Sequence, residues 1–468
     1  MIVLICLSSN STIIPIHFDE AQYATWKSDL SWGYATKGPL ITFVHYLFFS
    51  IPDIPLIIAL RLPAWIIFFG SIMALNKLAC LAGFDRDKQI LLLLLVCSSP
   101  IFLFLGLVHT TDVWLIFFWL TALVSFCSIV VSEKNSTNYF WWMIMGVSLG
   151  LGALAKISIA LLPLSLIPWV VINRRKLLLT FGPYLGAVCC FLILSPWITW
   201  NYKQNLVHFH HEISHVFGST KSLFDSVSWI PILILSSMPI TFFLFFFKNG
   251  ARSFSNENAK LVQGILLWSF FVTFTFFILK GLMGPILINW LLPLVPSLFL
   301  FVAIRLKNKF KIVLSLAVIQ VLLFLAILNP YTLGIGSKLD VFAKLRGWEQ
   351  AVSEISNLTG SVEVVTADHY SKVAWLLLFW PSDNINFRGL RGQTIPTQER
   401  RINQYDLLNP LKESRKKVAY IGLAEPEYFF DRCSKVRHMG EVVLYFPDGE
   451  IKETLSVWNC FFFNVDYE

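Results

Sequence analysis

Few side chains in this sequence could do chemistry, and they sit in short polar segments between long apolar runs. The first segment reads His17-Phe-Asp-Glu-Ala-Gln-Tyr-Ala-Thr-Trp26 and continues to Gly33-Tyr-Ala-Thr-Lys37-Gly-Pro-Leu. Asp19 offers a carboxylate held at the lipid–water boundary beside the basic Lys37. It could equally be a helix N-cap, satisfying first-turn amides. Asp112, in His109-Thr-Thr-Asp112, offers a second carboxylate and has the same alternative, because an apolar run begins at once after it. Lys156 ends Gly150-Leu-Gly-Ala-Leu-Ala-Lys156, either as a phosphate ligand or as a lysine whose stem lies in apolar surroundings while its ammonium reaches water. The loop Asn201 to Val216 holds His208, His210, His211, Glu212 and His215. His211 and His215 stand at i, i+4 on one helix face, a spacing a divalent metal could use, although no third ligand is fixed. Lys280 to Trp290, which includes Asn289, reads as a short turn and the start of a helix.

The elements that must position these residues follow from composition. The chain has 468 residues, 56% hydrophobic and only 14% charged, with a mean hydropathy of +0.65. A soluble domain carries roughly a quarter charged residues, so a soluble enzyme, a disordered chain and a disulfide-rich secreted scaffold are all excluded. The net charge of +8 has no basic aromatic patch with it, which argues against nucleic acid as a partner. Crossing a bilayer takes about 20 apolar residues in a helix, since each backbone amide must bond within its own segment. Such spans are expected near 56–76, 89–108, 113–131, 139–155, 157–172, 178–197, 228–247, 261–279, 286–304 and 312–329, with a weaker one at 2–16. The expected fold is therefore an α-helical polytopic membrane protein of about 11 transmembrane helices.

Basic residues gather in alternate loops. One set, including Arg86, Lys88, Arg174, Arg175, Lys176, Arg305 and Lys311, holds fourteen Lys and Arg; the other, which carries most of the acids, holds six. The richer set is assigned to the cytoplasm, placing Asp19, Lys37 and Asp112 on the outer side. Tyr23, Trp26 and Leu30 fall at i, i+3 and i+7, so the segment from Asp19 to Gly33 is expected as a helix lying along the membrane surface.

Asn329-Pro330 closes the last apolar run, dividing a membrane module, 1–329, from a small extracytoplasmic α/β domain, 330–468. The outer first loop is 17–55. In the C-terminal part helices are expected at 346–358 and 369–379, and strands at 362–366, 418–421 and 442–446. Cys433 and Cys460 both fall there, where a disulfide is permitted; the other six cysteines lie in or beside spans as packing residues.

Motifs along most of the chain resemble polyprenyl-phosphate-sugar-dependent glycosyltransferases of the C-type superfamily, in the branch of bacterial protein O-mannosyltransferase-like and lipid A aminoarabinose or galacturonosyl transferases. They are Asp19-Glu20-Ala21-Gln22-Tyr23, Lys37-Gly38-Pro39-Leu40, Arg61-Leu-Pro, Thr111-Asp112 and Leu149 to Lys156. Ser195 to Asn201, Asn289-Trp290, Gly347-Trp348 and Ala367-Asp368-His369-Tyr370 follow in the same order. The family often has Lys-Pro-Pro where this chain has Lys37-Gly38-Pro39, a change expected to loosen the turn that aims Lys37. Thr36 stands where aminoarabinose transferases carry Glu, which weakens the expectation of a metal.

The resemblance implies an inverting transfer from a polyprenyl-phosphate-linked sugar donor to an envelope glycolipid, glycan or protein on the outer face of the bacterial inner membrane. Asp19 would be the general base and Asp112 would position acceptor or sugar. Lys37, then Arg61 and Lys156, would bind the donor phosphate; Glu20, Tyr23, Asn201 and Asn289 would position substrate. No cofactor is required, although a divalent metal could be used. A transporter or flippase of lipid-linked sugars is the alternative. Transporters place polar groups at the midplane between repeated halves, whereas here the charges gather at one interface.

Overall fold

A computed structural model describes residues 2–28, 30–132, 138–217, 256–283, 286–305, 310–334, 336–381, 386–387, 417–423, 430–431 and 433–463. The span expected at 228–247 lies outside the described residues. Along the chain the helices are α1 (Ile2–Ser8), α2 (Phe18–Thr25), α3 (Leu40–Phe49), α4 (Leu56–Leu81), α5 (Arg86–Ser98), α6 (Pro100–Phe104), α7 (Thr111–Val131) and α8 (Tyr139–Ala155). They continue with α9 (Leu161–Asn173), α10 (Phe181–Lys203), α11 (Val207–Phe217), α12 (Glu257–Met283), α13 (Val295–Arg305) and α14 (Phe310–Leu328), then α15 (Trp348–Thr359) and α16 (Tyr370–Phe379). Contacts divide the chain into two units. One comprises Met1–Ser8, Lys37–Ile41 and Arg61–Leu325; the other comprises Ser9–Thr36, Thr42–Leu60 and Ala326–Glu468.

Among the described residues α4, α7, α10, α12 and α14 are long and apolar enough to cross a membrane. At 1.5 Å per residue each covers the hydrocarbon core, and the chain is a polytopic membrane protein. Other expected spans are interrupted for local reasons. The weak span at 2–16 is only the seven-residue α1 followed by turns, because Asn10 accepts from both the amide and the hydroxyl of Thr12, diverting the backbone from helix. The span at 89–108 breaks into α5 and α6 at Ser99, which precedes Pro100 and is forced into an extended conformation. The run at 286–304 opens as a 3₁₀ turn, Ile288–Leu294, before α13.

In the first unit α8 packs against α7 and α10. Small residues allow it: a Cβ on Gly146 would lie 2.1 Å from the Gly186 carbonyl oxygen, and one on Gly182 would lie 2.2 Å from Trp142 Nε1. Backbones that approach so closely gain dispersion contact along their length. Gly152 lets the chain turn back after α8, since a Cβ there would strike Ile159 at 2.1 Å.

The second unit is built on a mixed sheet of β1 (Val364–Ala367), β2 (Asn386–Phe387), β3 (Val418–Gly422), β4 (Cys433–Tyr445) and β5 (Ile451–Phe463). The strand order is β2-β1-β3-β5-β4, with β1 parallel to both neighbours and β5 antiparallel to β3 and β4. Residues of β1 and β3 are buried throughout, the pattern of strands covered on both faces. Cys433 and Cys460 form a disulfide between β4 and β5. The strand expected at 442–446 is the end of a longer β4, and β5 was not expected. In α15 the buried Trp348, Ala351, Val352, Ile355 and Thr359 keep helical spacing.

The expected surface helix differs most. It ends at Thr25 instead of Gly33, and Tyr23 and Trp26 are fully buried, with Trp26 stacked on Tyr34 at 4.4 Å. Their aromatic faces serve protein packing and not the headgroup layer. The expected first loop, 17–55, also contains a helix of its own, α3, too short to span and therefore invisible to a search for 20-residue runs.

Candidate active site

Asp112 lies in the first turn of α7, but it is not the cap. Thr110 holds that position and its hydroxyl accepts from the Asp112 amide at 3.4 Å. The Asp112 carboxylate is thereby available to side chains. Oδ1 accepts from Lys156 Nζ at 2.6 Å and Oδ2 accepts from Asn289 Nδ2 at 3.0 Å. Asp112 is 8% exposed and Lys156 15%, so Lys156 forms a largely buried ion pair and its ammonium does not run out to solvent. Lys156 is placed by the end of α8, whose last turn captures its amide through the Gly152 carbonyl at 2.8 Å. Three elements far apart in sequence thus meet at one carboxylate.

Gly38 decides where Lys37 sits. A Cβ at Gly38 would fall 2.0 Å from the Leu154 carbonyl oxygen, so the backbone beside Lys37 lies directly against the chain two residues before Lys156. The glycine in Lys37-Gly38-Pro39 therefore fixes the approach instead of loosening it. Lys37 is half-buried and has no side-chain hydrogen bond or ion pair among the described residues. Arg61 is fully buried in α4 and donates to the Ser8 carbonyl at 2.6 Å, while Trp65, one turn on, donates to the Ser8 hydroxyl at 2.9 Å. Both tie down the end of α1.

Asn201 is buried near the end of α10 and donates to the Trp197 carbonyl at 3.1 Å; its side-chain oxygen has no partner among the described residues. His211 and His215 both lie on α11, but the His215 side chain is outside the described residues. Among the described residues no group of three His, Cys, Asp or Glu side chains could hold a metal ion.

In the second unit, α2 carries Asp19, Glu20 and Tyr23. Its N-cap is His17, whose Nδ1 accepts from the Asp19 amide at 3.1 Å. Glu20 completes a capping box, accepting from the His17 amide at 3.0 Å. Nδ1 is taken up by the Asp19 amide, and its 4.0 Å approach to the Asp19 carboxylate is beyond hydrogen-bond reach. Capping is thus done by His17 and Glu20. The Asp19 carboxylate, 23% exposed, makes no hydrogen bond among the described residues. Glu20 and Tyr23 are fully buried. Behind them His45 on α3 is buried, and desolvation lowers its pKa to about 4 against a partial upward pull from Glu20.

Sequence reasoning missed the two caps. Histidine is not a preferred N-cap residue, so nothing marked His17. Thr110 was one residue away from a threonine that could have done the same.

Residues 36–200 match the family described as dolichyl-phosphate-mannose-protein mannosyltransferase. That segment contains Lys37, Arg61, Asp112 and Lys156. The chain is 25% identical over 186 residues to undecaprenyl phosphate-alpha-4-amino-4-deoxy-L-arabinose arabinosyl transferase of Erwinia tasmaniensis, covering 38% of this chain and 33% of that protein. It is 26% identical over 252 residues to the arabinosyl transferase 2 of the same description from Pseudomonas fluorescens, covering 49% and 45%. The chain thus spans less than half the length of the curated relatives it matches. ArnT from Cupriavidus metallidurans, solved bound to undecaprenyl phosphate, shares the fold, with a TM-score of 0.58 at 13% identity over 98% of this chain and 97% of that one. The resemblance to protein mannosyltransferase-like and aminoarabinose transferase-like glycosyltransferases, read first from the motifs, is borne out.

Proposed function

We propose that this chain is an inner-membrane glycosyltransferase that moves a sugar from undecaprenyl phosphate or a similar polyprenyl phosphate to an envelope acceptor, lipid A first among them, on the outer face. Asp19 is the general base. It takes the proton of an acceptor hydroxyl as that oxygen attacks the anomeric carbon, the bond to the phosphate oxygen breaks, and configuration inverts. The state passed through is oxocarbenium-like, and negative charge builds on the departing lipid phosphate. Lys37 is the cation that meets it. It alone of the three proposed cations has no partner among the described residues, whereas Lys156 faces Asp112 and Arg61 faces the Ser8 carbonyl. Asp112 and Asn289 form a rigid polar group that orients sugar or acceptor, with Lys156 holding the carboxylate; Asn201 offers its buried carbonyl oxygen to a hydroxyl. Glu20 and Tyr23 act from behind α2, shaping the support of Asp19. No step is assigned to a metal.

The observation that carries this reading is the Asp19 carboxylate released from capping by His17 and Glu20. A structural acid in the first turn would be bonded to its own amides. The test uses the purified protein in liposomes with lipid A and undecaprenyl phosphate carrying 4-amino-4-deoxy-L-arabinose, galacturonic acid or mannose. Release of undecaprenyl phosphate from one of these donors is expected, falling about 10²–10⁴-fold in Asp19→Asn. Turnover of no donor, or full turnover in the variant, would reject it. Passage of intact donor across the bilayer without cleavage would point to transport.

A further inference from the structure

Taking Asp19 as the base, we propose that residues of the C-terminal sheet domain position it, with Arg346 and Trp375 as the positioning residues. Both act within the second unit on the short segment of turns and irregular chain that leads into α2. Arg346 Nη1 donates to the Thr12 carbonyl at 2.8 Å and Nη2 reaches the Ile13 carbonyl at 3.4 Å. Arg346 is itself held by Asp340, and both side chains are buried. Asp340 is in turn fixed by the Tyr331 hydroxyl at 2.8 Å and the Phe342 amide at 2.9 Å. Trp375 Nε1 donates to the Ile16 carbonyl at 3.1 Å, immediately before the cap residue His17. Trp375 also meets the Phe18 ring edge-on at 6.2 Å and stacks on Trp348 at 4.5 Å.

The physical consequence concerns precision. Helix α2 has eight residues, too short to be stable alone, and a first-turn carboxylate inherits any swing of the chain that enters it. Carbonyls bonded at residues 12 and 16, and a ring wedged at residue 18, remove that swing. The donors come from α16 and from the turn before α15, more than 330 positions away in sequence. A base must hold its proton acceptor within hydrogen-bond reach of the substrate, and a displacement of about 1 Å can cost about 10²-fold in rate. Arginine suits this task because its planar fork serves two acceptors and a carboxylate together.

Trp375→Phe removes the N–H while keeping a ring beside Phe18 and Trp348, and Arg346→Lys keeps the charge opposite Asp340 while losing the fork. The assay is the liposome reaction with whichever of the three undecaprenyl-phosphate sugars is turned over. Both variants are expected to lower kcat about tenfold with the KM for donor within about twofold, and Trp375→Phe to remain folded at the assay temperature while melting slightly below wild type, because the Ile16 carbonyl loses its buried donor. Introduced into Asp19→Asn, Trp375→Phe should change the residual rate by less than about twofold, because residues acting as one unit are not additive. Variants that fold and keep kcat within twofold of wild type overturn the proposal, as does an undiminished Trp375→Phe loss in the Asp19→Asn background. If Asp19→Asn itself turns over normally, the base assignment fails instead, and the two failures are told apart.

Discussion

Replacing Lys156 with methionine strips the ammonium from Asp112 while nearly preserving side-chain volume. The pair is 2.6 Å apart, with exposures of 15% and 8%, so solvent screening is slight and the 0–1 kcal/mol typical of surface pairs does not apply. Removing one partner of a buried pair costs about 3–5 kcal/mol, chiefly because the other charge is left uncompensated. Asn289 keeps its bond to the second carboxylate oxygen, and hydrogen bonds to charged groups contribute about 1.5–3 kcal/mol. The expected loss is therefore near the lower end, about 3 kcal/mol. Asp112→Asn should cost about 2 kcal/mol, since the stranded lysine is the more exposed partner. The double variant leaves no unpaired charge and should also sit about 2 kcal/mol below wild type, giving a coupling of about 3 kcal/mol. Thermal melts of purified variants in detergent read this directly. One kcal/mol moves Tm by about 2–4 °C in chains of 150–250 residues and by less in longer ones, so a drop of about 3–5 °C is expected for Lys156→Met. A Lys156→Met protein melting within 1 °C of wild type, or a strictly additive cycle, would refute the buried pair.

The cap assignment predicts that Asp19→Asn leaves Tm unchanged while His17→Ala lowers stability by about 1 kcal/mol; a melt of both variants checks it, and the reverse order would return Asp19 to a capping role. His45 is held neutral to about pH 4 by burial, against 6.5 for the free side chain. The unfolded chain therefore binds the extra proton first, so this stabilisation is complete above pH 6.5 and is lost as pH falls toward 4, at about 1.4 kcal/mol per unit. Stability measured from pH 7.5 to 4 should show that decline, flattened in His45→Gln. Cys433 and Cys460, separated by 27 positions, should resist alkylation until reduced. Their replacement by serine should cost about 3 kcal/mol, read as earlier unfolding of the sheet domain.

Hydropathy was enough to mark α4, α7, α10, α12 and α14 among the described residues, because a span is a local property: its backbone bonds close within it. The same locality exposed α15, α16, β1 and β3, whose periodicity is written in a few consecutive residues. Interruptions were less legible, since Ser99-Pro100 and the polar run after Ser8 break helices without lowering the average hydropathy of the window. The motif residues were also visible as types in order along the chain. Their partners were not. Asp112 takes its ligands from 44 and 177 positions away, and Thr12 is held from 334 away. Which carboxylate caps and which stays free depends on one-residue differences in where α2 and α7 begin, and those starts are set by packing on distant elements. Composition and periodicity thus determined a helical membrane protein with a sheet-bearing end and named the acids and bases. Only tertiary structure decided which of them are paired, because ion pairs and hydrogen bonds act over about 3 Å between groups whose separation along the chain carries no trace of their meeting.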